Sequence, residues 1–403
     1  MIPSVEDMRT FIGITAAAVL AAASPAAAAT PSTPSLRATM QADADSLLRY
    51  GAPGVLAELD TAHGDLRVRS GYGNVAAGTP VPWQAKFRIG SFTKTFVSAT
   101  LLQLVGEKRV SLDDSVDKWL PGVVRGNGND GRRITVRQLL QQTSGLPDYV
   151  AELPWIIDEA GFQQHRFDTI TPEQAVALAM KSQPEFPPGT QWAYSNTNYQ
   201  LAGMVISRVT GHTWQREVTD RVIKPLGLRD TVAPYTSPAI PRPHAVGYER
   251  FPAPDGTAED PRYSDPIDAT RQNPSWGGAA GAIISTTDDG NRFLRALLGG
   301  KVLRPAQLAE MTRTVATNAE FQTNWPGVRY GLGLMWMPNS CGGQWMHGGD
   351  IMGFQTRNGV DATGTRSVVV SLNTDSLVPQ AGVPAPTGDV AIPLIEHALC
   401  DVR

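Results

Sequence analysis

The feature that most limits how this chain can fold is where its strand-forming segments stand: at the two ends, with a long helical stretch between them. Near the start, Val55–Leu59 and Leu66–Tyr72 are short apolar runs joined by a polar Asp60 to Asp65 turn containing Gly64, the pattern of a hairpin. Near the end, Tyr330–Met337, Gly353–Arg357 and Arg366–Leu372 read as strands, followed by a helical run over Val390–Leu399. Between these last two, Val378–Thr387 is rich in Pro, Gly and Ala and reads as a surface loop. From Leu112 to Trp276 the signals are helical, at Val136–Gln142, Pro172–Lys181 and Tyr199–Thr210, with Pro and Gly punctuation. The expected fold is therefore α/β. Residues 30–111 and 277–403 share one antiparallel sheet flanked by helices, residues 112–276 form a mostly helical lobe, and the whole is one domain. A site is expected in the cleft between the lobes.

Composition narrows the class of partner. The chain has 403 residues, 41% hydrophobic and 18% charged, enough for a substantial core. With a net charge of -3 and no block of Lys and Arg, nucleic acid is not an expected partner, and a small molecule is. At the N-terminus, an apolar run from Phe11 to Ala23, a Ser24-Pro25 break and the small residues Ala26 to Ala29 have the form of an export signal over residues 1–29. Glu6 and Asp7 do not suit such a signal, and a start at Met8 would remove them. The run is shorter than the ~20 residues a membrane span needs, so a secreted, extracellular monomer without an anchor is expected. In an oxidising compartment Cys341 and Cys400 can pair, closing a loop of about 60 residues worth ~4 kcal/mol in the chain-entropy model.

Three motifs carry chemistry. Ser91 stands at a predicted helix start with Lys94 three residues on, so both side chains share one face. A serine hydroxyl becomes a nucleophile when a base takes its proton, and a lysine serves once burial lowers its pKa. The start of the helix directs backbone N–H groups to where an acyl-transfer oxyanion forms. Taken alone, the pair also fits an N-cap serine beside an ordinary lysine. Tyr194-Ser195-Asn196 supplies a phenol that a nearby ammonium would help to ionise, and an amide suited to holding a peptide bond; alone, it also fits a loop tyrosine with turn-forming asparagines. In His347-Gly348-Gly349-Asp350, the glycines let a strand edge approach a substrate. There His347 is expected to hydrogen-bond the tyrosine and lysine, and the Asp350 N–H to complete an oxyanion hole with that of Ser91.

This order of motifs resembles the serine β-lactamase and penicillin-binding protein superfamily, in its class C-like branch, close to secreted actinobacterial D-alanyl-D-alanine carboxypeptidases. The resemblance runs from about Leu47 to Cys400 and includes Thr143-Ser144-Gly145-Leu146, Ser275-Trp276 and Tyr330-Gly331-Leu332-Gly333-Leu334. It implies a β-lactamase/transpeptidase-like fold and an acyl-enzyme at Ser91. Lys94, Tyr194 and His347 would be the other catalytic residues, with Asn196, Trp276, Gly348, Gly349 and Asp350 at the substrate. It requires no metal and no organic cofactor. The implied activity is D-alanyl-D-alanine carboxypeptidase-like: hydrolysis or transpeptidation of D-residue peptides. The alternatives are a D-aminopeptidase or amidase, a β-lactamase-like esterase, and a penicillin-binding sensor without turnover. Three departures from the pattern involve four positions. Gln142 replaces a histidine, Met335 stands where the carboxypeptidases place an arginine for the substrate carboxylate, and Gly348 and Asp350 replace hydroxyl residues. Asp350 should repel a free carboxylate unless Arg357 neutralises it.

Overall fold

In the computed structural model, residues 35–257 and 261–401 are described; the expected export signal lies outside them. Period-2 alternation builds the sheet. In Gly54–Thr61 the side chains of Val55, Ala57 and Leu59 enter one apolar cluster with Val368 and Val370, while Glu58 points to the other face. This strand pairs antiparallel with Arg366–Leu372 along its length, from Val55 opposite Leu372 to Thr61 opposite Arg366, so the two ends of the chain do share a sheet. Across the sheet the strands run Gly64–Gly71, Gly54–Thr61, Arg366–Leu372, Phe354–Val360, Gln344–Met346, Met335–Met337, Arg329–Tyr330 and Val315–Ala316. Gly349–Ile351 pairs separately with the start of Phe354–Val360.

Helices Leu36–Leu47 and Ile392–Cys400 cover one face through Ala44, Leu47, Leu394 and Ala398. Helix Thr287–Leu298 covers the other, where Thr287 and Asn291 hydrogen-bond Glu58. Thr93–Gly106 is buried on every side, as its dense apolar sequence demands, and Phe96 stacks on Phe293 with ring centroids 3.7 Å apart. Its core is continuous with that of the 112–276 region, through Leu139, Tyr199, Val205 and Trp214.

Local expectations needed four revisions. The run Tyr330–Met337 is two strands, not one, because Gly333 (φ +71°) turns the chain and Arg329 comes to face Trp336. Gln344–Met346 and Gly349–Ile351 are strands too short for periodicity to reveal. Helix Asn196–Thr210 starts three residues earlier than expected. Ser91 lies in a 3₁₀ turn, Gly90–Phe92, and the helix proper begins at Thr93. Cys341 and Cys400 form a disulfide that ties the hairpin loop before Gln344 to the last helix.

Candidate active site

Ser91 sits where the 3₁₀ turn meets strand Gly349–Ile351, and two glycines make that meeting close. A Cβ on Gly349 would fall 1.9 Å from Ile89 O and 2.9 Å from Ser91 N, and one on Gly90 would fall 2.8 Å from Asp350 N. The backbone nitrogens of Ser91 and Asp350 are thus brought onto closely facing segments, the placement that an oxyanion hole of two backbone donors requires. Lys94, one helical turn on, donates from Nζ to Ser91 Oγ (2.9 Å), Asn196 Oδ1 (2.7 Å) and Ala280 O (2.9 Å). Burial pushes its ammonium down to about 7, against the opposing pull of Asp148 and Asp350. A neutral amine beside a serine hydroxyl can take its proton at neutral pH.

Tyr194 hydrogen-bonds Ser91, and its ring lies 4.7 Å from Lys94 Nζ. The expectation that a neighbouring ammonium would ionise this phenol is corrected. Desolvation dominates and holds Tyr194 well above its ordinary value, so it is a proton donor at rest. His347 also differs from expectation. Its Nε2 meets Tyr330 Oη (3.0 Å), not Tyr194 or Lys94, and its Nδ1 meets Gly348 O (2.8 Å). Burial pushes the imidazole down to about 3, keeping it neutral behind the tyrosines.

Asn196 holds Lys94 through Oδ1 and donates from Nδ2 to Asp148 Oδ2 (2.8 Å). Gln142, the departure from the family's histidine, accepts hydrogen bonds at Oε1 from Ser195 N (3.1 Å) and Asn198 Nδ2 (2.5 Å), bracing the loop that delivers Tyr194 and Asn196. Met335 is buried with Trp192, Tyr330 and Met346, away from the cavity, so its side chain offers substrate nothing. A Cβ on Gly348 would meet Arg357 Nη1 at 3.2 Å and the Thr356 carbonyl at 3.3 Å, so a larger residue there would have to displace the Arg357 side chain slightly.

The cavity holds about 270 Å³ and is lined by Ser91, Asn196, Trp276 and Asp350, with Ile156, Phe251 and Met352 as apolar wall. Sequence reading missed its acidic end. Glu249 and Asp375 line it beside Asp350, and burial raises the pKa of both carboxyls. Asp375 shares a hydrogen bond with Asp350. Asp350 is ion-paired to Arg357 (2.8 Å), which also grips Asp389. Glu249 takes its hydrogen bonds from neutral donors, among them Gly353 N–H (2.7 Å). Asp148 and Tyr149 were also missed. The one available signal was that they directly follow the Thr143–Leu146 motif.

A family model described as Beta-lactamase matches residues 5–387. Among curated relatives, Protein flp of Staphylococcus aureus is 27% identical over 226 residues, 56% of this chain and 41% of the relative, so the match spans about two fifths of that protein's length. Esterase EstB of Burkholderia gladioli is 31% identical over 333 residues, 74% of this chain and 79% of its own. Among solved structures, a D-stereospecific amidohydrolase from Streptomyces sp. shares 40% identity with a TM-score of 0.79, covering 92% of this chain and 100% of that one. A D-amino acid amidase from Ochrobactrum anthropi SV3 shares 27% identity with a TM-score of 0.74, covering 90% and 97%.

Proposed function

Because the chain belongs to the beta-lactamase family of serine hydrolases, we propose that it cleaves amide bonds of D-configured substrates bearing a free ammonium group, as an amidase or aminopeptidase. The observation that carries this is the excess of carboxylate over cation on the cavity that Ser91 lines. Three carboxyls, Asp350, Asp375 and Glu249, line it against one lining cation, Arg250, while Arg357, paired to Asp350, is shared with Asp389. Burial and the neighbouring carboxyls Asp350 and Glu249 hold Asp375, which is hydrogen-bonded to Asp350, well above the ordinary carboxyl range. A substrate ammonium supplies the missing positive charge. The resemblance to a D-stereospecific amidohydrolase and a D-amino acid amidase supports the same substrate class.

In the proposed reaction the Lys94 amine takes the Ser91 proton as Oγ attacks the carbonyl carbon. The oxyanion is held by the N–H groups of Ser91 and Asp350. The proton returns, through Lys94 and Tyr194, to the leaving amine as the C–N bond breaks. Water then attacks the acyl-enzyme by the same route, releasing the acid and restoring Ser91. An exported location is part of the proposal, supported by the Phe11–Ala23 run and the disulfide.

D-Phenylalanine amide and its N-acetyl derivative test the charge argument. Acetylation is expected to lower kcat/KM by roughly 10- to 100-fold; equal or better turnover of the acetylated amide would sink it. D-alanyl-D-alanine carboxypeptidase activity is the second candidate, favoured by Arg250. This guanidinium lines the same cavity, held by Ser264 O (3.0 Å), and offers a cation to a terminal carboxylate. A D-Ala-D-Ala peptide turned over faster than its C-terminal amide would favour that activity.

A further inference from the structure

Behind the site stands a carboxylate that the proposed steps do not use. Asp148 caps the 3₁₀ turn Tyr149–Glu152, accepting at Oδ1 from Val150 N (3.1 Å). Its other oxygen accepts from Asn196 Nδ2 (2.8 Å), and Asn196 Oδ1 accepts from Lys94 Nζ (2.7 Å). Burial raises the Asp148 pKa, opposed by the hydrogen bonds from Val150 and Asn196 and by the charge of Lys94; as a carboxylate it only accepts, and so fixes which end of the Asn196 amide faces Lys94. The other fixed acceptor on Lys94 is the backbone carbonyl of Ala280. A neutral amine carries two hydrogens and one lone pair. As an ammonium Lys94 donates its third hydrogen to Ser91 Oγ; once that proton is lost, with the other two hydrogens on Asn196 Oδ1 and Ala280 O, the lone pair is left facing the Ser91 hydroxyl.

We propose that Asp148 is a positioning residue for acyl transfer, locking Asn196 so that the Lys94 lone pair meets Ser91, and holding charge against Lys94 from behind. This rests on the acyl transfer at Ser91 proposed above. One Nδ2 hydrogen of Asn196 goes to Asp148 and the second remains for the cavity, which Asn196 lines. The groups around Lys94 are Asp148 from the loop, Asp350 from the strand, the His347 imidazole, and the rings of Tyr194 and Tyr199. Around Asp148 stand Tyr149, Tyr194 and the carboxyl of the exposed Glu185. Both Asp148 and Asp350 raise the affinity of Lys94 for its proton.

The test is the pH dependence of kcat/KM for Asp148→Asn and Asp148→Glu. Removing the charge should move the acid limb down by roughly one pH unit, with plateau activity falling about tenfold as Asn196 loses its anchor. Glu keeps the charge, so its limb should stay at the wild-type pH while the plateau drops. A limb unmoved in Asp148→Asn, or moved alike in both variants, would overturn the proposal, since a merely structural loss lowers the plateau and leaves the limb in place. Should Asp148→Asn not fold, as judged by its melting transition, Asp148→Ser gives the same comparison. Labelling of Ser91 by a fluorophosphonate keeps the two ideas apart. Labelled variants with an unmoved limb refute only the role of Asp148, whereas an unlabelled wild-type enzyme refutes the acyl transfer itself.

Discussion

The two ends of the cavity respond to the same desolvation in opposite ways. At the Ser91 end, one lysine is enclosed by tyrosines, a neutral histidine and backbone dipoles, and burial drives its proton off. At the other end, Asp350 is paired to an arginine that it shares with Asp389, and burial raises the pKa of the neighbouring Asp375 and Glu249 carboxyls. Both ends therefore carry less charge than their residue types suggest, for one reason: a low-dielectric site penalises whatever ion is present. The first end becomes a base. The second becomes a receptor for a cation.

Substitutions should separate the two ends by which kinetic constant they move. The largest effect is expected from Ser91→Ala, a loss of about 10⁴-fold or more in kcat, with no covalent adduct in the intact mass after incubation with a penicillin or a fluorophosphonate. Retained adduct formation would move the nucleophile elsewhere. At the other end, Asp375→Asn should raise KM for D-phenylalanine amide by about tenfold while changing kcat little. If kcat falls instead, the division between the ends is wrong. The smallest effect is the most diagnostic of the base. Wild-type kcat/KM should lose about tenfold per pH unit below roughly pH 7, as Lys94 takes up its proton. His347 remains neutral down to about pH 3, so it adds no limb of its own near pH 6.

How far the sequence could be read differed between these ends for a physical reason. Ser91 and Lys94 lie in one short motif and Tyr194 and Asn196 in another, so each pair is recognisable locally, although the two pairs meet only through the fold, Lys94 reaching Asn196 across 102 residues. Lys94 reaches Ser91 across a single helical turn. Glu249 and Asp375 carry no motif. They meet because Tyr248 forms a bridge to Thr374 and the Gly353 N–H caps Glu249, contacts between segments more than a hundred residues apart.

Sequence alone determined the sheet built from both ends of the chain, the buried helix after Ser91 and the disulfide partners, because apolar period and cysteine count are local or nearly so. It also supplied the order of motifs that marks the family. Tertiary structure decided the protonation and partners of those motifs: Lys94 lowered to about 7, Tyr194 as a held phenol, His347 turned to Tyr330, and Asp350 paired with Arg357. Protonation depends on which groups exclude water and which charges stand across the cavity, and both are properties of the packed molecule, absent from any stretch of the chain taken by itself.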